Sequence, residues 1–163
     1  MTEKPVVTVR AATDADLEQR RNALVEHWGS TRIVTRGRVH ATESLPCLIA
    51  EADGEWVGFL TYDIYGQECE LITMNAFHRG MGVGSALLGR LREIALEHNC
   101  RGIWLITTND NVDAMRFYQK KGFYFVEVHR DAVVAARRLK PEIPMIGNHG
   151  IPIRDEIELV MPL

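Results

Sequence analysis

Cysteine is scarce in this chain, and what there is suits neither of its usual structural uses. Cys47, Cys69 and Cys100 are odd in number and far apart, with no CxxC pair and no Cys/His cluster. A disulfide framework and a zinc site are therefore both unsupported, and the three read as reduced, partly buried thiols of a cytoplasmic protein. Long apolar runs are also missing. None approaches the roughly 20 residues that cross a bilayer, and Met1-Thr2-Glu3-Lys4-Pro5 lacks the apolar centre of a signal peptide. Excess positive charge is absent: 19 Lys and Arg against 22 Asp and Glu leave a formal net charge of −3. No long-range field gathers nucleic acid or an anionic membrane, so neither is expected as a partner, and any cation for an anionic ligand must be local. Repeats, low-complexity tracts and linkers are lacking as well. The 163 residues read as a single domain, 1–163, able to bury about two-thirds of its unfolded surface.

Periodicity supplies the elements that are present. Residues 6–10 alternate as a first strand. Thr13-Asp14-Ala15-Asp16 is a helix start with acids in its first turn, ahead of Leu17, Ala23, Leu24 and Trp28, and Gly29-Ser30 ends that helix. Residues 30–44 carry Arg32, Arg36, Gly37, Arg38 and His40 among few core-forming side chains, and are expected to be a loop or short helix with a solvated surface. Residues 47–50 and 56–62 form a hairpin around Asp53-Gly54. A strand follows with Glu68, Glu70, Ile72 and Met74, then a glycine-rich stretch. A helix holds Leu87, Leu88, Leu91, Ile94, Ala95 and Leu96. Next come a buried strand at 103–107, a helix at 111–121 ended by Gly122, a strand at 123–128, further helical turns at 132–139, and a last strand at 157–160.

The glycine-rich stretch is His78-Arg79-Gly80-Met81-Gly82-Val83-Gly84-Ser85. Alternating glycines between a strand and a helix gather backbone N–H groups in one concave turn with no Cβ in the way. The first helical turn adds unpaired donors and the positive end of the peptide dipole. Such a turn suits an anionic pyrophosphate, though a plain tight turn has the same glycines. It is not a Walker loop, since Gly84 is followed by Ser85-Ala86 with no lysine, and a dinucleotide fingerprint would need glycine where Leu87 stands. A second segment, Asn111-x-x-Ala114-x-x-Phe117-Tyr118-x-Lys120-x-Gly122-Phe123, puts Ala114, Phe117 and Tyr118 on one helical face.

Arg79-x-x-Gly82-x-Gly84 resembles the pyrophosphate loop of the GNAT superfamily of N-acetyltransferases, and the second segment resembles that superfamily's last motif, in the right order and at the expected distance. The resemblance covers roughly residues 6 to 130. It implies an α/β (α+β) fold: a mixed, mostly antiparallel, twisted sheet of about seven strands, with helices on both faces and a splay between its fourth and fifth strands that takes the pantetheine arm of acetyl-CoA. Carried over by position, it implies that the backbone of Gly80, Gly82, Val83, Gly84 and Ser85 holds the pyrophosphate with Arg79 at the loop's edge. It likewise implies that the Met74 backbone pairs with pantetheine, that Asn111 contacts the cofactor beyond the sulfur, and that Tyr118 returns a proton to the departing thiolate. No metal is implied, and a homodimer is a family-level expectation.

The chemistry asks for a base as well, because a lysine-like amine has a pKa near 10.4 and must lose a proton before attacking the thioester. Glu68 and Glu70 lie two apart on one strand, so they share a face. Glu68 falls, by a gapless count back from Arg79, where several members of the family carry a catalytic glutamate, and Glu70 is nearer the splay. The opposite reading, solvated strand positions, stays open for both. Cys69 should face the other way, which favours direct transfer in a ternary complex over an acetyl-cysteine. Residues 131–154, with Arg137, Arg138, Lys140, Asn148, His149 and Arg154, are the place expected for acceptor choice or dimer contacts, and His149 reads as a surface turn residue. The acceptor is a small-molecule or peptide amine of unspecified identity. The alternative is an acyl-CoA-binding sensor without turnover.

Overall fold

The computed structural model describes residues 3–163. In chain order the elements are β1 (Thr8–Ala11), α1 (Leu17–Trp28), β2 (Arg32–Thr35), β3 (Arg38–Ala41), β4 (Cys47–Ala52), β5 (Glu55–Tyr65) and β6 (Glu68–Ala76). There follow α2 (Val83–Glu97), β7 (Gly102–Thr108), α3 (Val112–Lys120), β8 (Tyr124–His129), α4 (Ala132–Leu139) and β9 (Glu156–Pro162). Asp53 and Gly54 both take positive φ (52° and 80°), the pair of left-handed residues that a two-residue hairpin turn between β4 and β5 requires. Seven strands form one sheet in the order β1-β4-β5-β6-β7-β9-β8. Every neighbouring pair is antiparallel except β6 and β7, which are parallel and joined by the crossover helix α2. No described helix is long and apolar enough to cross a membrane.

A β-bulge in β6 decides which side chains face which way. Thr61 pairs with Thr73 but Tyr62 pairs with Leu71, so Ile72 is an extra residue and the alternation slips by one. Before the bulge, Cys69 and Leu71 face α2. After it, Met74 faces the same way, opposite Leu60. Glu68, Glu70, Thr73 and Asn75 take the other face. The α2 face carries the larger core, where Leu87, Leu91 and Ala95 of α2 pack on Leu48, Leu60, Leu71 and Leu105. On the opposite face α1 covers Cys47, Ile49 and Phe59 through Ala23 and Leu24.

Residues 30–44, expected as a loop or short helix, instead hold a second, two-stranded sheet made of β2 and β3. Its turn is Arg36-Gly37, both at positive φ (51° and 72°). The arginines at this turn lie over aromatic rings of the main sheet, Arg36 5.0 Å from the Trp104 ring centre and Arg38 5.4 Å from that of Tyr65. The hairpin thus roofs the part of the main sheet where Glu70 and Trp104 stand side by side.

Candidate active site

β6 and β7 are hydrogen-bonded only where residues 68–71 meet 102–105, and beyond Leu71 and Leu105 they part. Their outer partners stay paired, β5 along β6 to Ala76 and β9 along β7 to Glu156, so the opening lies inside the sheet. It is a cleft of about 690 Å³. Ile72, Met74 and Asn75 form one wall and Ile106, Thr107 and Thr108 the other. Asn111, Ala114 and Tyr118 close it on the α3 side, while Trp28, Ile33, Lys140, Glu142, Pro144 and Glu156 line the opposite mouth. Segment 131–154 therefore supplies part of the mouth.

The glycine loop follows directly on β6. Gly80 and Gly82 have φ of 79° and 74°, a conformation that side chains with a Cβ resist, yet nothing lies within 4 Å of where a Cβ would stand. Backbone shape, with open space above it, is the reason for glycine there. Gly84 is different: a Cβ would meet Cζ of Phe117 at 3.1 Å, so this glycine lets α2 approach α3. Gly82 is the N-cap of α2 and no side chain caps that end. The first bond of the helix is Ala86 N–H to the Gly82 carbonyl. The amides of Val83, Gly84 and Ser85 have no acceptor among the described residues. Arg79 and Ser85 are exposed beside them, and Val83 is buried.

Tyr118 sits in the cleft wall, 7% exposed, its ring edge-on to Phe117 and Phe123 at 5.5 and 5.3 Å. Its hydroxyl has no hydrogen-bond partner among the described residues, and burial pushes the phenol above its usual value, so it is neutral and holds its proton. Asn111 is the N-cap of α3 and donates from Nδ2 to Oγ1 of Thr107 at 3.0 Å, tying that helix end to the β7 wall.

The two glutamates stand apart from these residues. Glu68 is exposed at the closed end of the splay, in a separate depression with Arg36, Arg101 and Glu158. Glu70 is 1% exposed beneath the β2–β3 roof. It accepts from Oγ1 of Thr35 at 2.7 Å and from the Tyr65 hydroxyl at 3.2 Å, and His40 Nε2 lies 3.6 Å away while also 2.7 Å from Thr35. Burial raises the Glu70 carboxyl and lowers the His40 imidazole. Neither glutamate lines the cleft. The structure brings neither of the two expected bases to the cleft: pairing with β7 holds Glu68 at the sheet's closed end, and the hairpin covers Glu70.

Two cleft residues carry no signal in the sequence. Glu156, the first residue of β9 and opposite Thr108, is buried, with its carboxylate accepting the Arg36 amide at 3.2 Å. Burial raises it above the usual carboxylate value, against the opposing pull of that amide and of the charges of His129 and Arg36. Lys140, just past α4, extends its ammonium to the Trp28 carbonyl at 2.7 Å. His149 is exposed at φ 58°, 3.1 Å from Asp113. Among the described residues one grouping could offer metal ligands, Glu127, His129 and Glu158 on β8 and β9, and none of the three lines the cleft.

Cys69 is fully buried on the α2 face, away from both glutamates, and burial raises its thiol to about 12. A thiol so placed is a poor nucleophile. Cys69→Ala is expected to keep most of its turnover in a thiol-release assay; a loss as large as that of Tyr118→Phe would make the cysteine an acyl carrier.

The acetyltransferase (GNAT) family profile matches residues 11–123. Among curated proteins, the chain is 44% identical over 133 residues to the uncharacterized protein YdhI of Bacillus subtilis strain 168, covering 81% of this chain and 83% of that one. Among solved structures it is similar to an IAA acetyltransferase from Bacillus cereus ATCC 14579 (TM-score 0.70, 21% identity, 97% of this chain and 100% of that chain). It is also similar to an acetyltransferase from Bacillus subtilis in complex with CoA (TM-score 0.68, 20% identity, 98% and 99% covered). At these identities the two structures speak to the fold.

Proposed function

The chain belongs to the acetyltransferase (GNAT) family, and we propose that it transfers acetyl from acetyl-CoA to a primary amine by direct attack in a ternary complex. The observation that carries this reading is a sheet opened between β6 and β7 with the partnerless Tyr118 hydroxyl inside the opening. Acetyl-CoA supplies an acyl group already activated as a thioester. The residues present fit it: the free amides of Val83, Gly84 and Ser85, with the backbone of Gly80 and Gly82, would hold the pyrophosphate at the positive end of α2. Arg79 would flank that loop. Met74, on the stretch of β6 that has lost its β7 partner, would offer its backbone to pantetheine, and Asn111 would reach the cofactor beyond the sulfur.

Glu156 takes over the role first expected of Glu68 or Glu70. It lines the cleft, and a carboxylate raised by burial accepts a proton from an incoming ammonium more readily than an ordinary one. The amine is thereby left neutral, with its lone pair free for the carbonyl carbon. Tyr118 donates its hydroxyl proton to the departing sulfur, and the phenolate so formed is restored by the second proton that the attacking nitrogen sheds as the amide forms. A raised phenol is a weaker acid, but the same dry surroundings raise a thiolate's basicity, so donor and acceptor shift together. Glu70, bonded to Thr35 and Tyr65, anchors the roof.

A thiol-release screen with acetyl-CoA against a panel of amines tests the reading. Binding of CoA without release by any amine would make the protein a sensor. For any amine that reacts, kcat/KM should fall on the acid side with an apparent pKa above the ordinary glutamate value of about 4.3, since the working form of Glu156 is the deprotonated one. Glu156→Gln, which can still accept the Arg36 amide, should lower kcat/KM by about 10²-fold and remove that acid limb. An unchanged limb in the variant would take the base role away from Glu156.

A further inference from the structure

Lys140 is 7% exposed, and among the described residues its ammonium has one hydrogen-bond partner, the neutral carbonyl of Trp28. No carboxylate of the described residues comes within 4 Å of it. Burial lowers its pKa, Glu142 opposes that shift, and Arg32 adds to it. Trp28 is the last residue of α1, so its carbonyl carries part of that helix's negative end and offsets the ammonium only in part. An ammonium removed from water without a counter-ion is unfavourable. An apolar side chain at this position would fill the same space without that penalty. Lys140 lines the mouth of the cleft, on the side away from Tyr118 and in the same cavity as Glu156.

Resting on the acetyl-transfer reading, we infer that the acceptor is an amine that also bears a carboxylate, and that Lys140 receives this carboxylate. Lys140, a buried cation in the cleft lining, matches a monoanion. A phosphate would ask for a forked guanidinium or several cations, and Arg32, whose charge is felt at Lys140, is exposed and turned to the Leu139 carbonyl. Glu156 then faces the amine end of the same molecule. Lys140 and Glu156 thereby complement the two ends of a zwitterion, with Glu142 also at the mouth.

The test pairs each acid with its uncharged analogue: glycine, β-alanine, 4-aminobutyrate and 6-aminohexanoate against their carboxamides. The wild-type protein should favour at least one acid over its amide by about tenfold in kcat/KM, chiefly through KM. Lys140→Met should bring that ratio near one, and Lys140→Arg should keep part of the preference. If Lys140 only capped α1, the variant would lose acid and amide turnover alike and leave their ratio unchanged, which would overturn the inference. Acid and amide reacting equally with the wild type would overturn it too, while leaving acetyl transfer intact. Should no amine turn over, calorimetric titration of the same pairs in the presence of CoA reads the anchor by itself. Saturable binding of an acid by the wild type and not by Lys140→Met supports the assignment; no binding, or equal binding of acid and amide, overturns it.

Discussion

Tyr118→Phe is expected to lower kcat by about 10²- to 10³-fold while KM for acetyl-CoA stays near wild type. The substitution keeps the ring, so the edge-on contacts with Phe117 and Phe123 remain. The hydroxyl it removes has no hydrogen-bond partner among the described residues, so no buried partner is orphaned and the melting temperature should barely move. What goes is the proton for the leaving sulfur. A stopped assay of thiol release, with thermal melting as the folding control, separates these outcomes. A kcat within about threefold of wild type would move the proton donor elsewhere, because loss of a positioned acid has a larger effect than that.

The second large effect is expected at the glycine loop. Gly82→Val forces a β-branched residue to φ 74°, roughly 1–2 kcal/mol of backbone strain at the N-cap of α2. Its side chain enters open space, since nothing lies within 4 Å of the Cβ position. If that space belongs to a pyrophosphate, Kd for CoA should rise about 10- to 100-fold, or 1.4–2.7 kcal/mol by the affinity relation. Acetyl-pantetheine, which has no pyrophosphate, should react with wild type and variant alike. Equal losses with both donors would mean that the glycine serves folding and not phosphate binding. Gly84 is unsuited to this comparison, because any Cβ there presses on Phe117, next to Tyr118.

The glycine loop and the α3 motif were legible because their physics is local. Positive-φ glycines and helical spacing leave their pattern within a dozen residues, and the same holds for the β4–β5 turn. The β2–β3 hairpin was not legible. Its strands are four residues each, and its turn uses Arg36 at a left-handed position where Asn, Asp or Gly usually announces a hairpin. Missing that roof hid the difference between Glu68 and Glu70, which look equivalent two residues apart and differ only in what covers them. Glu156 is one acid among Asp155, Glu156 and Glu158, singled out by its register with Thr108. Lys140 resembles a solvated lysine at a helix end, and only the meeting of α1 and α4, 112 residues apart at this bond, buries it. Contacts of that range leave no trace in a window of sequence.

The extra residue in β6 also constrains how this chain can tolerate insertions and deletions. Ile72 is the surplus residue, so without it Thr73 would follow Leu71 in plain alternation and still meet Thr61. Losing Thr73 instead would move Met74 into its place and turn every later position of β6 through half a rotation. In that second case Asn75 would be driven into the oily layer beneath α2, and Met74 would swing across to the α1 face. Conservative point changes along residues 73–76 leave that handedness alone, whereas removing one codon beyond the bulge would turn the β6 wall of the opening inside out.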